Sequence, residues 1–131
     1  MVYGDRKFFT GLLTGFTCVR IQHGPKSQRV AAGANIDFRC VHEFVPCPHV
    51  TKQYQRYTAI RPTIHWLKDG QALTQRHTSP PKYNWGELGA SLTIRNVSGR
   101  DTGAYTCVAQ LDNDVNNYDN KSADLIVEGW Q

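Results

Sequence analysis

The chain has 131 residues, 40% apolar and 20% charged, and its 15 Lys and Arg outnumber 11 Asp and Glu for a net charge of +4. That length suits one domain with a real core and not two, and the composition is that of an ordinary globular protein. The basic residues are scattered rather than interleaved with aromatics, which argues against a nucleic-acid partner. No apolar stretch reaches the ~20 residues of a spanning helix, so any link to a membrane would run through a transmembrane segment absent from this sequence.

Residues 1–16 place Arg6 and Lys7 before a short apolar run, Phe8 to Phe16. The layout is that of a signal peptide, but Gly and Thr dilute the run and no small-x-small cleavage site follows. They are read as a poorly defined N-terminal extension, a fragment start or a weak signal-like segment, ahead of a domain at 17–129. From there the pattern has period two. "NIDFRC" puts Ile36, Phe38 and Cys40 on one face, and "TIHWLKDG" puts Ile64 and Trp66 inward before a turn at Lys68-Asp69-Gly70. "SLTIRNV" sets Leu92 and Ile94 against Thr93 and Arg95. "GAYTCVAQ" sets Tyr105, Cys107 and Ala109 against Thr106 and Val108, and "SADLIVEG" aligns Ala123, Leu125 and Val127. These are half-buried antiparallel strands, and short strands between turns predict an all-β two-sheet sandwich. Among the connections, 77–89 is rich in Pro and Gly, so a strand there, Lys82 to Trp85, should be short and near an edge. Residues 41–63 read as one long connection, and the Asn- and Asp-rich 111–122 as a hairpin loop.

"DTGAYTC", residues 101–107, is the most specific motif. On a strand, Tyr105 and Cys107 share the core face. A Tyr two residues before the second cysteine of a sandwich is a tyrosine corner, its hydroxyl bonding back to upstream backbone. Gly103 is expected to let the chain turn tightly into the strand. Asp101 should sit at the base of the sandwich, paired with a cation at the start of the "KYNW" strand, Lys82. Cys107 should pair with Cys40, with Trp66 packed against the bridge. Cys…Trp…Cys with D-x-G-x-Y-x-C is the immunoglobulin-fold signature, and such a bridge would constrain the unfolded chain by about 4 kcal/mol.

"WLKDGQALT" and "SLTIRNVSGRDTGAYTCVA" resemble an intermediate-set immunoglobulin domain of a cell-adhesion protein. "CVRIQHGPKSQRVAAGANIDFRC", "YTCVAQLDNDV" and "SADLIVEG" narrow the likeness to the sixth immunoglobulin domain of neuroglian/neurofascin-type neural adhesion molecules. The resemblance covers residues 17–129. It implies an extracellular, non-catalytic module of a single-pass adhesion receptor with a long B–C loop. The module would contribute to homophilic or heterophilic adhesion, or act as a spacer beside immunoglobulin and fibronectin-type repeats. Some vertebrate relatives carry an Arg-Gly-Asp integrin motif in this domain; here "SGRDTG" has those letters in another order, and integrin binding is not carried over. The alternatives are an intracellular muscle-type spacer of the same set and a short secreted single-domain protein. Compartment separates the first two: the muscle alternative needs reduced Cys40 and Cys107 and an unmodified Asn96.

Two sequons, Asn96-Val97-Ser98 and Asn120-Lys121-Ser122, would each carry a glycan on a surface turn of a secreted protein. No nucleophile sits in a G-x-S-x-G turn and no glycine loop cradles phosphate, so no catalytic residue or cofactor is assigned. Asp112, Asp114 and Asp119 lack the central Gly and terminal Glu of a calcium loop. His42, Cys47 and His49 could supply three zinc ligands, but His42 and Glu43 read as a strand end. Cys18, at the start of the first strand, and Cys47 should lie at one pole of the sandwich. Neither belongs to the family's pattern, and three outcomes stay open: a Cys18–Cys47 bridge, two free thiols, or an intermolecular bond.

Overall fold

The computed structural model describes residues 17–47, 62–74, 81–111 and 114–129. The expectations for residues 1–16, for His49 and for Asp112 lie outside them. The strands are β1 (Thr17–His23), β2 (Gln28–Ala31), β3 (Ile36–Arg39), β4 (Val41–Pro46), β5 (Pro62–Lys68), β6 (Gln71–Ala72), β7 (Tyr83–Trp85), β8 (Ser91–Ile94), β9 (Gly103–Leu111) and β10 (Asp114–Glu128). Single 3-10 turns at Glu87–Gly89 and Gly99–Asp101 flank β8.

One sheet has the order β3-β8-β7, antiparallel throughout, and the facing sheet the order β2-β10-β9-β5-β6. In the second sheet only the β2–β10 pairing is parallel. β1 pairs antiparallel with β4. The chain therefore changes layer between β1 and β2, at Gly24-Pro25. Gly24 is required there, because a Cβ would stand 2.7 Å from Cβ of Lys121. The β5–β6 hairpin turns on Asp69 and Gly70, at φ 51° and 85°, the left-handed pair that a two-residue turn of primed type demands.

The predicted inward residues meet in one core. Ile36, Phe38, Cys40, Ile64, Trp66, Leu92, Ile94, Tyr105, Cys107, Ala109, Ala123 and Leu125 are all buried. Phe38 lies between Trp66 and Tyr105, with ring centroids 6.2 and 5.3 Å away. Trp66 stands directly across β5–β9 from Cys107, and its indole N–H donates to the Gly89 carbonyl at 2.7 Å. Cys40 and Cys107 are joined across the sheets, 67 residues apart in sequence.

Three sequence expectations need correction. Residues 41–63 are not one long connection: 41–46 form β4 and 62–63 already belong to β5. Nor is 111–122 a hairpin loop, because β10 begins at Asp114 and pairs with β9 from Leu111 back to Gly103. Asn and Asp are poor strand formers, but their side chains here bond to β1, as described below. Finally, Gly103 has no left-handed φ. Its requirement is space, since a Cβ would stand 2.7 Å from Asp69 Oδ2.

Candidate interaction surfaces

At the base of the sandwich, Asp101 is 2% exposed. Its Oδ2 accepts from Lys82 Nζ at 2.8 Å and from the Ser98 amide at 2.8 Å. Lys82 also donates to the carbonyls of Arg95 and Asn96 at 3.0 and 3.2 Å. The Tyr105 hydroxyl donates to the Asp101 carbonyl at 2.6 Å, so the carboxylate and the backbone of one residue tie β7, the second 3-10 turn and β9 together. A buried charge is tolerated only when it is paired and hydrogen-bonded. This cluster meets that condition and is framework, not a reaction centre.

The opposite pole carries the second bridge. β4 holds Cys47 beside the start of β1, and Cys18 and Cys47 form a disulfide with their Cα atoms 5.0 Å apart. The sulfur of Cys47 is thus committed. His42 packs edge-on against Phe44, ring centroids 5.4 Å apart, and Arg20 pairs with Glu43 across the two strands. Among the described residues no group of three His, Cys, Asp or Glu side chains is placed to hold a metal ion.

The outer edge of β1 is covered in a way the sequence did not suggest. Amide groups along a strand point alternately to its two sides, and β4 serves one side only. On the other, Asn117 Oδ1 accepts from Val19 N at 2.9 Å and Asp119 Oδ2 from Ile21 N at 2.8 Å. Asn117 Nδ2 donates to the Thr17 carbonyl at 2.9 Å. Side chains two residues apart on β10 thus stand in for a neighbouring strand, which closes an edge otherwise open to foreign pairing. Asp119 Oδ1 also accepts from Asn120 N at 2.9 Å, so Asp119 serves backbone amides rather than a cation. No signal in the sequence alone marks this, since the contacts join residues 98 positions apart.

Among the described residues, two surfaces are open to a partner. The outer face of the β5–β9–β10 sheet carries three successive cross-strand rows without formal charge: Thr63, Gln110 and Tyr118; His65, Val108 and Asn120; Leu67, Thr106 and Ser122. Beyond them a row of Ala104 and Asp124 brings in a carboxylate. Tyr118 is 54% exposed. Near the disulfide pole lies an open groove of about 590 Å³, lined in part by His42, Pro62, Ile64 and Leu88. Leu88 is 75% exposed and has a left-handed backbone, φ 56°, unusual for a residue with a Cβ.

The two sequons differ in setting. Asn96 is exposed on the turn after β8, with φ 49° and its amide donating to Asn35 Oδ1 at 2.8 Å. Asn120 is not on a turn: it lies within β10, opposite Val108.

Two facing sheets bridged by a buried disulfide beside a tryptophan, with a tyrosine corner at the base, define an immunoglobulin-like β-sandwich. A profile of the immunoglobulin domain matches residues 20–110, and the chain belongs to that family. It is similar to neural cell adhesion molecule 1 of Rattus norvegicus, 35% identical over 49 residues, which is 37% of this chain and 6% of that protein. It is also similar to fibroblast growth factor receptor-like 1 of Homo sapiens, 42% identical over 48 residues, 36% of this chain and 8% of that protein. The chain thus matches less than a tenth of either relative's length. Among solved structures it resembles Drosophila OTK extracellular domains 3–5, with TM-score 0.63, 20% identity, and coverage of 86% of this chain and 32% of that one. It resembles titin domain M3 as closely, with TM-score 0.62, 21% identity, and coverage of 86% and 98%. At such identities the likeness speaks for the fold.

Proposed function

We propose that the chain is a non-catalytic extracellular module of a cell-adhesion receptor, engaging protein surfaces homophilically or heterophilically or spacing neighbouring immunoglobulin and fibronectin-type domains. In its finer form the reading is of a neural receptor of neuroglian/neurofascin type, linked to the membrane by a transmembrane segment outside this sequence, with glycans on Asn96 and Asn120. The observation that carries the reading is the Cys18–Cys47 bridge. A muscle-type spacer of the same fold works where thiols are kept reduced. A second disulfide outside the Cys…Trp…Cys framework has a stabilising role only where disulfides persist. The relatives named for adhesion and for a growth factor receptor support the same direction.

The test is surface labelling of the native protein on intact cells with an impermeant biotin reagent. Labelled protein that loses mass on enzymatic removal of N-glycans is the expected result. A protein labelled only after permeabilisation, with no mass change, would instead establish the intracellular spacer.

A further inference from the structure

We propose that an N-linked glycan on Asn120 lies over the outer face of the β5–β9–β10 sheet and closes that face to protein partners. The inference rests on the extracellular reading and adds to it which surface is left for contact.

Side chains alternate across a strand, so Asn120 shares the outer face with its row neighbours Val108 and His65. That row is the middle one of three uncharged rows, and the charge nearest to them on that face of β10 is Asp124, in the next row opposite Ala104. A three-row patch without formal charge, with an exposed tyrosine and aliphatic residues, is the composition protein interfaces favour. Left bare, the patch would suit a protein partner. A sugar chain rooted at its centre changes that. The first residue attaches to the amide of an outward side chain, and the branched remainder is bulky and hydrated. His65 lies two strands from Asn120, about 10 Å at ordinary strand spacing, within the area such a chain sweeps. A partner cannot then seat flush on the sheet. Contact is directed to the β3–β8–β7 layer and the pole that carries Cys18–Cys47. Asn96 sits on the turn after β8, close to Lys82 and Asn35, and a glycan there leaves the outer face of the other sheet clear.

The experiment uses the chain secreted from a eukaryotic host. Glycopeptide mass spectrometry reads occupancy at Asn96 and Asn120, and diethylpyrocarbonate labelling reads the accessibility of His65 against His23, an exposed histidine at the end of β1. The comparison proteins are Ser122→Ala and Asn120→Gln, each lacking the second sequon. Expected are an occupied Asn120 and His65 labelling several-fold slower in the wild type than in both variants, with His23 unchanged. Asn96 occupied while Asn120 is bare overturns the inference and leaves the extracellular reading standing. Both occupied with equal His65 rates also overturns it. Both bare likewise overturns the inference, while the extracellular reading, which rests on the Cys18–Cys47 bridge, is decided by the surface-labelling test.

Discussion

At Asp101 a carboxylate withdrawn from solvent depends on Lys82 Nζ and the Ser98 amide, so the residues around it should be the least replaceable polar ones in the fold. Lys82→Ala leaves that charge without its cation and should destabilise the domain by about 3 kcal/mol in urea unfolding. The double variant Lys82→Ala, Asp101→Asn should recover much of that loss, and a double as unstable as the single would show that Lys82 does not act through its charge on Asp101. Asn117 poses the same question without charge. Asn117→Ala strands the Val19 amide and the Thr17 carbonyl, which should cost about 2 kcal/mol and raise hydrogen exchange at Val19 more than at Cys107. Lys82, Asp101 and Tyr105 could be placed from sequence because their motif has fixed spacing. Asn117 and Asp119 could not, since Asn and Asp in a row read as turn formers whenever their side-chain partners lie a hundred residues away.

Among the elements, β1 depends most on contacts beyond regular pairing. It bonds to β4 on one side, to two β10 side chains on the other, and is tied at its start by Cys18–Cys47. Closing that bridge, 29 residues apart in sequence, constrains the unfolded chain by about 3.5 kcal/mol. Cys18→Ser, Cys47→Ser should lose most of that in thermal unfolding while keeping the Cys40–Cys107 framework. Loss of amide protection should concentrate in β1 and β4; a uniform loss across β9 as well would show that β1 is not a separate unit. Alternation identified β3, β5, β8 and β9 correctly, because each buries one face against the opposite sheet. β4 escaped that reading. Only half-buried at the pole, it shows no clean alternation, and Pro46 and Cys47 resemble loop residues until β1 is seen beside it.

For the whole molecule, the two sheets end in short outer strands, two residues in β6 and three in β7, which limits edge-to-edge pairing and leaves faces and poles for contact. The sandwich was legible in the sequence because Cys40, Trp66, Tyr105 and Cys107 are spaced by the geometry of the fold itself. The contact surface was not, because it is set by which outward residues of different strands share a row, and register is invisible in one sequence. The central claim, that this is a doubly bridged module of an oxidising compartment, is tested most directly by differential alkylation of the protein taken from its native tissue. Free thiols are blocked first, disulfides are then reduced, and a second label is read by peptide mass spectrometry. The account predicts the second label on all four of Cys18, Cys40, Cys47 and Cys107. The first label on all four would contradict it and leave an immunoglobulin spacer of the cell interior.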